Sequence, residues 1–113
     1  MALQYTVIEG NTATTLIAKR SILNTVTGGY DMTLTAEKMI TISLCNTHAT
    51  DSVDVDLYVY DDTLGTFKIL NNVKIPEGTT LILERYEISF DNNDYEMKIQ
   101  LSAADSEVSV IIR

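Results

Sequence analysis

The sequence predicts an all-β fold: an antiparallel β-sandwich of the immunoglobulin-like or jelly-roll kind, built from eight or nine short strands. Three observations carry this. Ile40-Thr41-Ile42-Ser43-Leu44-Cys45-Asn46 and Val53-Asp54-Val55-Asp56-Leu57-Tyr58-Val59-Tyr60 alternate apolar and polar residues with period two, as half-buried strands do. Thr, Ile and Val supply roughly a third of the chain, and their stiff β-branched side chains favour the pleated strand. Turn signals punctuate the sequence at intervals of about ten residues, the spacing of a sandwich.

Element by element, residues 3–8 read as a first strand, stopped by Glu9-Gly10-Asn11. Residues 14–22 continue extended, and Thr27-Gly28-Gly29 is a turn because paired glycines accept positive φ. Residues 30–35 form a short strand, and Ala36-Glu37-Lys38 gives only a turn before a β-branched run. Strands over 39–46 and 53–60 follow, joined by the polar segment 47–52. Asp61-Asp62-Thr63-Leu64-Gly65 makes a hairpin connection, with Gly65 available for a left-handed or bulge position, into a strand over 67–75 bent at Asn71-Asn72. Pro76-Glu77-Gly78 is a turn in which Pro pre-sets φ and Gly supplies the conformation that other residues resist.

Residues 79–90 are long for one strand, and their parity slips: Leu81 and Leu83 are odd, Tyr86, Ile88 and Phe90 even. This predicts a bulge or a bend near Glu84-Arg85. After a turn at Asp91-Asn92-Asn93-Asp94, strands containing Met97-Ile99-Leu101-Ala103 and Val108-Val110-Ile112 close the fold as a hairpin over Ala104-Asp105-Ser106. The predicted core is Ile40, Ile42, Leu44, Val55, Leu57, Val59, Leu81, Leu83, Ile99, Leu101, Val108 and Val110.

A chain of 113 residues is one domain, spanning 1–113, with residues 1–9 a candidate interface strand or arm. Sixteen acidic against eight basic residues give a net charge of -8, a surface that repels nucleic acid rather than displacing its counterions. The amino terminus lacks the basic and apolar regions of a secretory signal, and no apolar run reaches the roughly 20 residues that span a bilayer. The expected setting is therefore a soluble chain made in a reducing cytoplasm, with neither membrane nor nucleic acid as partner.

No Gly-rich phosphate loop, Gly-x-Ser-x-Gly elbow or CxxC pair occurs, so no cofactor is expected and the chain reads as a non-enzyme. Cys45, beside Leu44 in an alternating strand, reads as a small core hydrophobe, and the sole His48 follows in the next loop. Asp51, Asp54, Asp56, Asp61 and Asp62 make one region distinctly negative; they are solvated carboxylates or, if their oxygens converge, a calcium site. Tyr58 and Tyr60 run out of phase with Val55, Leu57 and Val59, which puts them on the solvent face beside Asp54 and Asp56, as interface residues or as rings covered by cross-strand neighbours. Leu3, Tyr5 and Val7 share one parity of an amino-terminal strand without basic residues, and complete the candidate interface set of Leu3, Tyr5, Val7, Tyr58 and Tyr60.

The order of a strand ending Leu44-Cys45-Asn46, a polar loop, the acidic alternating strand from Val53, the turn Ile75-Pro76-Glu77-Gly78 into Thr79-Thr80-Leu81-Ile82-Leu83, and the final Val108-Ser109-Val110-Ile111 resembles the small β-sandwich accessory virion proteins of tailed bacteriophages. These include capsid decoration (cement) proteins and modules of the neck, tail and baseplate. The resemblance implies a chain made in the host cytoplasm and located in the virion, assembly as a homo-oligomer through symmetric contacts with the major capsid protein or other virion proteins, and no catalysis. A neck, tail or baseplate component is the alternative role, and a carbohydrate-binding module the alternative of another class.

Overall fold

The computed structural model describes residues 4–19, 23–24, 29–30 and 41–113. Among the described residues, ten strands and one helical turn follow in order: β1 Gln4–Glu9, β2 Thr14–Ile17, β3 Leu23–Asn24, β4 Gly29–Tyr30, β5 Thr41–Asn46, β6 Val53–Asp61, β7 Gly65–Ile75, β8 Thr80–Glu84, α1 Arg85–Ile88, β9 Glu96–Leu101 and β10 Glu107–Ile112. One four-stranded sheet, sheet A, has the order β1-β10-β5-β8, and a second, sheet B, has β2-β9-β6-β7; β3 pairs with β4 in a separate ribbon. Every strand pairing among the described residues is antiparallel.

Pairing β1 with β10, β2 with β9, β5 with β8 and β6 with β7 folds the chain back on itself as one long hairpin rolled into two sheets. That nesting is jelly-roll order, and it decides between the two sandwiches that the sequence allowed. The β3–β4 ribbon sits in the connection from β2 to β5. The predicted turn at Thr27-Gly28-Gly29 falls mostly outside the described residues, as do Ala36-Glu37-Lys38, most of the strand over 30–35 and the core candidate Ile40.

Strand alternation places the core between the sheets. In β5 the even residues Ile42, Leu44 and Asn46 point inward, and in β10 Val108, Val110 and Ile112 do; β6 contributes Val53, Val55 and Leu57, and β9 Met97, Ile99 and Leu101. Of the predicted core, Val59 and Leu81 are only half-buried against this cluster. Ile8, Leu16, Ile17, Ile75 and Ile88 complete it from the flanking elements.

Three expectations are corrected. β9 and β10 are not a hairpin: β9 pairs with β2 and β6, β10 with β1 and β5, so segment 102–106 arches from one sheet to the other. A short connection with inward apolar residues on both sides fits either geometry, and here the two strands face the same core from opposite layers. The parity slip after Leu83 is not a bulge within a strand. β8 ends at Glu84, whose N–H donates to the Glu87 carboxylate at 3.1 Å, and a single helical turn carries the chain to buried Ile88 while Tyr86 stays in solvent. The extended run over 14–22 yields a strand of only four residues, kinked by a register shift between Thr15 and Ile17.

The turns behave as their residues require. Gly65 and Gly78 hold φ of 110° and 66°, and Thr79 N–H closes the second turn on the Pro76 carbonyl at 3.2 Å. The bend in β7 is at Asn72, with φ 51°, whose N–H is held by the Asp56 carboxylate at 2.8 Å.

Candidate protein interface

The outer faces of the two sheets differ in chemistry. On sheet A, the residues that alternate away from the core form cross-strand rows. Tyr5 lies opposite Ile111, Ile111 opposite Ser43, and Ser43 opposite Ile82; the next row runs Val7, Ser109, Cys45, Thr80. These eight residues carry no charge, on a chain with a net charge of -8. Tyr5 is 72% exposed, Val7 52% and Ile82 55%. A shallow groove between β1 and β10 is lined by Tyr5, Thr6, Val7, Ser109, Val110 and Ile111. Among the described residues of sheet A, acids flank this patch at its margins, with Glu9 opposite Glu107 at one end and Glu84 at the other.

Four strands about 4.8 Å apart and two residue rows about 7 Å apart give a flat patch of roughly 300 Å², the size of the largest and often functional patch on a monomer. The edges of sheet A are equally plain. β1 and β8 hold continuous register, and neither contains Lys, Pro or a bulge. Sheet B's edges are blunted, β7 by register shifts, Lys68 and Lys74, and β2 by its shortness and its own shift.

Sheet B's outer face is a charged lattice. Tyr58 lies opposite Lys68 on one side and Lys98 on the other. The Lys68 ammonium sits 5.0 Å from the Tyr58 ring centre and 3.2 Å from the Asp56 carboxylate; Lys98 sits 5.1 Å from the Tyr60 ring centre and 3.3 Å from Glu96. Each lysine stem thus covers a tyrosine face while its charge is paired, which is the covered-ring reading of these two residues.

At one end of the sandwich the inter-sheet arches meet. Asn46, fully buried, organises them: its Nδ2 donates to the Asp51 and Ile75 carbonyls at 2.9 and 3.0 Å, and its Oδ1 accepts the His48 N–H at 3.0 Å. His48 in turn clips the 47–52 arch to the 102–106 arch through Asp105, at 3.1 Å from Nε2. Oxygens of Asp51 and Asp105 and a ring nitrogen of His48 lie within 4.8 Å of one another, a spacing open to a metal. The ring's hydrogen bonds argue otherwise. Nδ1 faces two backbone donors, the N–H groups of Thr50 and Asp51 at 3.2 and 3.0 Å, so it is the acceptor and Nε2 carries the proton. A metal on Nε2 would move that proton to Nδ1, against both donors.

The other acidic residues do not converge. Asp54 and Asp56 share a polar hollow with Asn11, Asn72, Gln100 and Ser102, while Asp61 stands at the far end of β6. Asp61 faces inward rather than out: it pairs with Lys19 and accepts the N–H groups of Thr63 and Leu64, both at 2.9 Å, capping the β6–β7 hairpin. The hydrogen bond from Lys19, followed by those from Leu64 and Thr63, lowers its pKa to about 2, and Asp61 raises that of Lys19.

The predicted interface set is therefore divided. Tyr5 and Val7 lie on the uncharged face, in a strand laddered along β10, while Tyr58 and Tyr60 lie on the opposite outer face; Leu3 falls outside the described residues. Cys45 is corrected from core to outer face: Leu44 takes the inward position and the thiol stands half-exposed between Ser109 and Thr80. Ile111 and Ile82 were missed as face residues, although their parity against Val110 and Leu83 carried the signal. No family model and no curated protein matches this chain.

Proposed function

We propose that the chain is a non-enzymatic structural protein of a virion, acting as a capsid decoration (cement) protein that seats on the major capsid protein through sheet A's outer face. The observation that supports this most is the pair of uncharged cross-strand rows on sheet A's outer face, with Tyr5, Val7 and Ile82 each more than half exposed on a chain of net charge -8. Such a face buries well against protein, because no charge has to be desolvated, and its acidic surroundings discourage contact elsewhere. The resemblance to small phage sandwich proteins points the same way, and jelly rolls are a recurrent capsid architecture.

A patch of roughly 300 Å² is well below the ~800 Å² per partner of a standard stable interface. A single contact is therefore weak, and useful binding comes from many symmetric copies or from linked copies, as on a shell lattice. Each bound copy adds buried area to the assembled shell and none to free subunits, which stabilises the shell by mass action. Placement in the neck, tail or baseplate is the second role for the same surface. Quantitative mass spectrometry of purified particles separates them: copy number in proportion to the capsid protein supports decoration, a small ring-like number supports the neck or tail, and absence from particles rejects both. A carbohydrate-binding module would instead use the polar hollow beside Asp54 and Asp56, and glycan-array binding abolished by Asp56→Ala would identify it.

A further inference from the structure

We infer that β1 is a self-pairing edge, through which two copies of this chain join antiparallel across a two-fold axis at Thr6 to make one continuous eight-stranded sheet from their two A sheets. The ladder's alternation shows which backbone groups are free to do so. Gly10 N–H donates to the Ser106 carbonyl, in line with the β1–β10 register, so the even residues Gln4, Thr6 and Ile8 exchange hydrogen bonds with β10. The odd residues of β10 are used on its other side, where Thr47 N–H bonds to Glu107 and Thr41 and Arg113 bond reciprocally. Tyr5, Val7 and Glu9 therefore turn their N–H and C=O groups toward β1's outer edge, which no strand among the described residues covers. The same residues carry the exposed side chains of the outer face, so backbone and side chains present one contact surface.

A second copy fits this edge better than an unrelated strand does. Two-fold pairing about Thr6 sets Tyr5 opposite the partner copy's Val7 as hydrogen-bonded pairs, and Thr6 opposite itself. Both Tyr–Val pairs are the aromatic with β-branched combination that stabilises antiparallel ladders. Gln4 meets Ile8, and no acid meets an acid, although each copy carries a net charge of -8. β8 is open too but one residue shorter, and a β1-to-β8 contact would be head-to-tail, generating rings or fibres instead of a closed pair. Pairing six-residue edges buries less than the ~1,200 Å² total of a standard interface, so the dimer is weak and concentration-dependent.

This inference rests on reading sheet A as the assembly side, and it fails separately. A chain present in particles yet monomeric in solution overturns the pairing alone; a dimer absent from particles overturns the virion role alone. Sedimentation equilibrium of the full chain should show a monomer near ~1 μM and a dimer near ~100 μM, and Val7→Pro, which removes an N–H that β10 does not use, should raise the dissociation constant at least about tenfold without lowering the melting temperature by more than a few degrees. The register has its own test. Opposed non-hydrogen-bonded residues have Cα atoms about 4.5 Å apart, within disulfide range, so Thr6→Cys in a Cys45→Ser background should give a covalent dimer on mild oxidation, and Gln4→Cys in the same background should not. A monomer at all concentrations, species larger than a dimer, an undiminished Val7→Pro dimer, or failure of Thr6→Cys to link would each overturn the pairing.

Discussion

Leu44 and Cys45 are neighbours in β5 with opposite fates, and substituting each in turn tests the register on which the two faces depend. A slip of one residue would exchange every inward and outward side chain of the strand. Leu44 is fully buried in the central β5 of sheet A, whereas Cys45 is half-exposed on the outer face. Leu44→Ala removes the equivalent of three carbons, about 2.4 kcal/mol at ~0.8 kcal/mol per buried methylene. A residual cavity of about 50 Å³ adds roughly 1.2 kcal/mol at ~24 cal/mol per Å³, for a total of about 3 to 4 kcal/mol. Against a domain stability of about 5 to 15 kcal/mol, the protein stays folded but the loss is large. Cys45→Ser, on the surface, should cost under about 0.5 kcal/mol. Urea unfolding measures both through the midpoint at constant slope. Near-equal costs, or a Cys45→Ser cost above about 1.5 kcal/mol, would refute the assigned face.

Asp61 has a lowered folded pKa, so its contribution to stability is fully present above the ordinary value near 4 and is lost as pH falls toward about 2; Asp61→Asn should flatten the wild-type decline in melting temperature across that window. Asn46→Ala leaves the His48 N–H and the Asp51 and Ile75 carbonyls short of a partner at a buried site, and should cost about 2 to 4 kcal/mol by urea unfolding. Tyr58→Ala uncovers the Lys68 ammonium and should cost only about 0.5 to 1 kcal/mol, with the sedimentation behaviour of the chain unchanged; a loss of self-association would move the contact surface to sheet B.

Local patterns carried the strands, because alternation is written into adjacent residues: the face of β6, the turn at Pro76-Glu77-Gly78 and the hairpin at Asp61–Gly65 were all legible. What local pattern cannot carry is which strand pairs with which. The 102–106 connection reads as a hairpin because Leu101 and Val108 are both inward, yet they enter the core from different sheets. The same limit hid the candidate site. Tyr5, Ile111, Ser43 and Ile82 are far apart in sequence and become one row only when β1, β10, β5 and β8 lie side by side. Asp61 was read with its exposed acidic neighbours because its partner, Lys19, lies 42 positions away. Tyr58 and Tyr60 were placed on the right face, but the lysines that cover them come from β7 and β9. Cys45 was misassigned where the sequence sufficed, since its parity is opposite to that of Leu44.

Seating of sheet A's uncharged face on an assembly, the role proposed above, is tested by a side-chain-resolution density map of the virus particles that this role implies. That role places ordered copies with Tyr5, Ile111, Ser43 and Ile82 turned toward protein neighbours, and Tyr58, Tyr60 and Asp54 turned to solvent. Copies attached through sheet B with the Tyr5 row exposed, or particles containing no density for the chain, would contradict it.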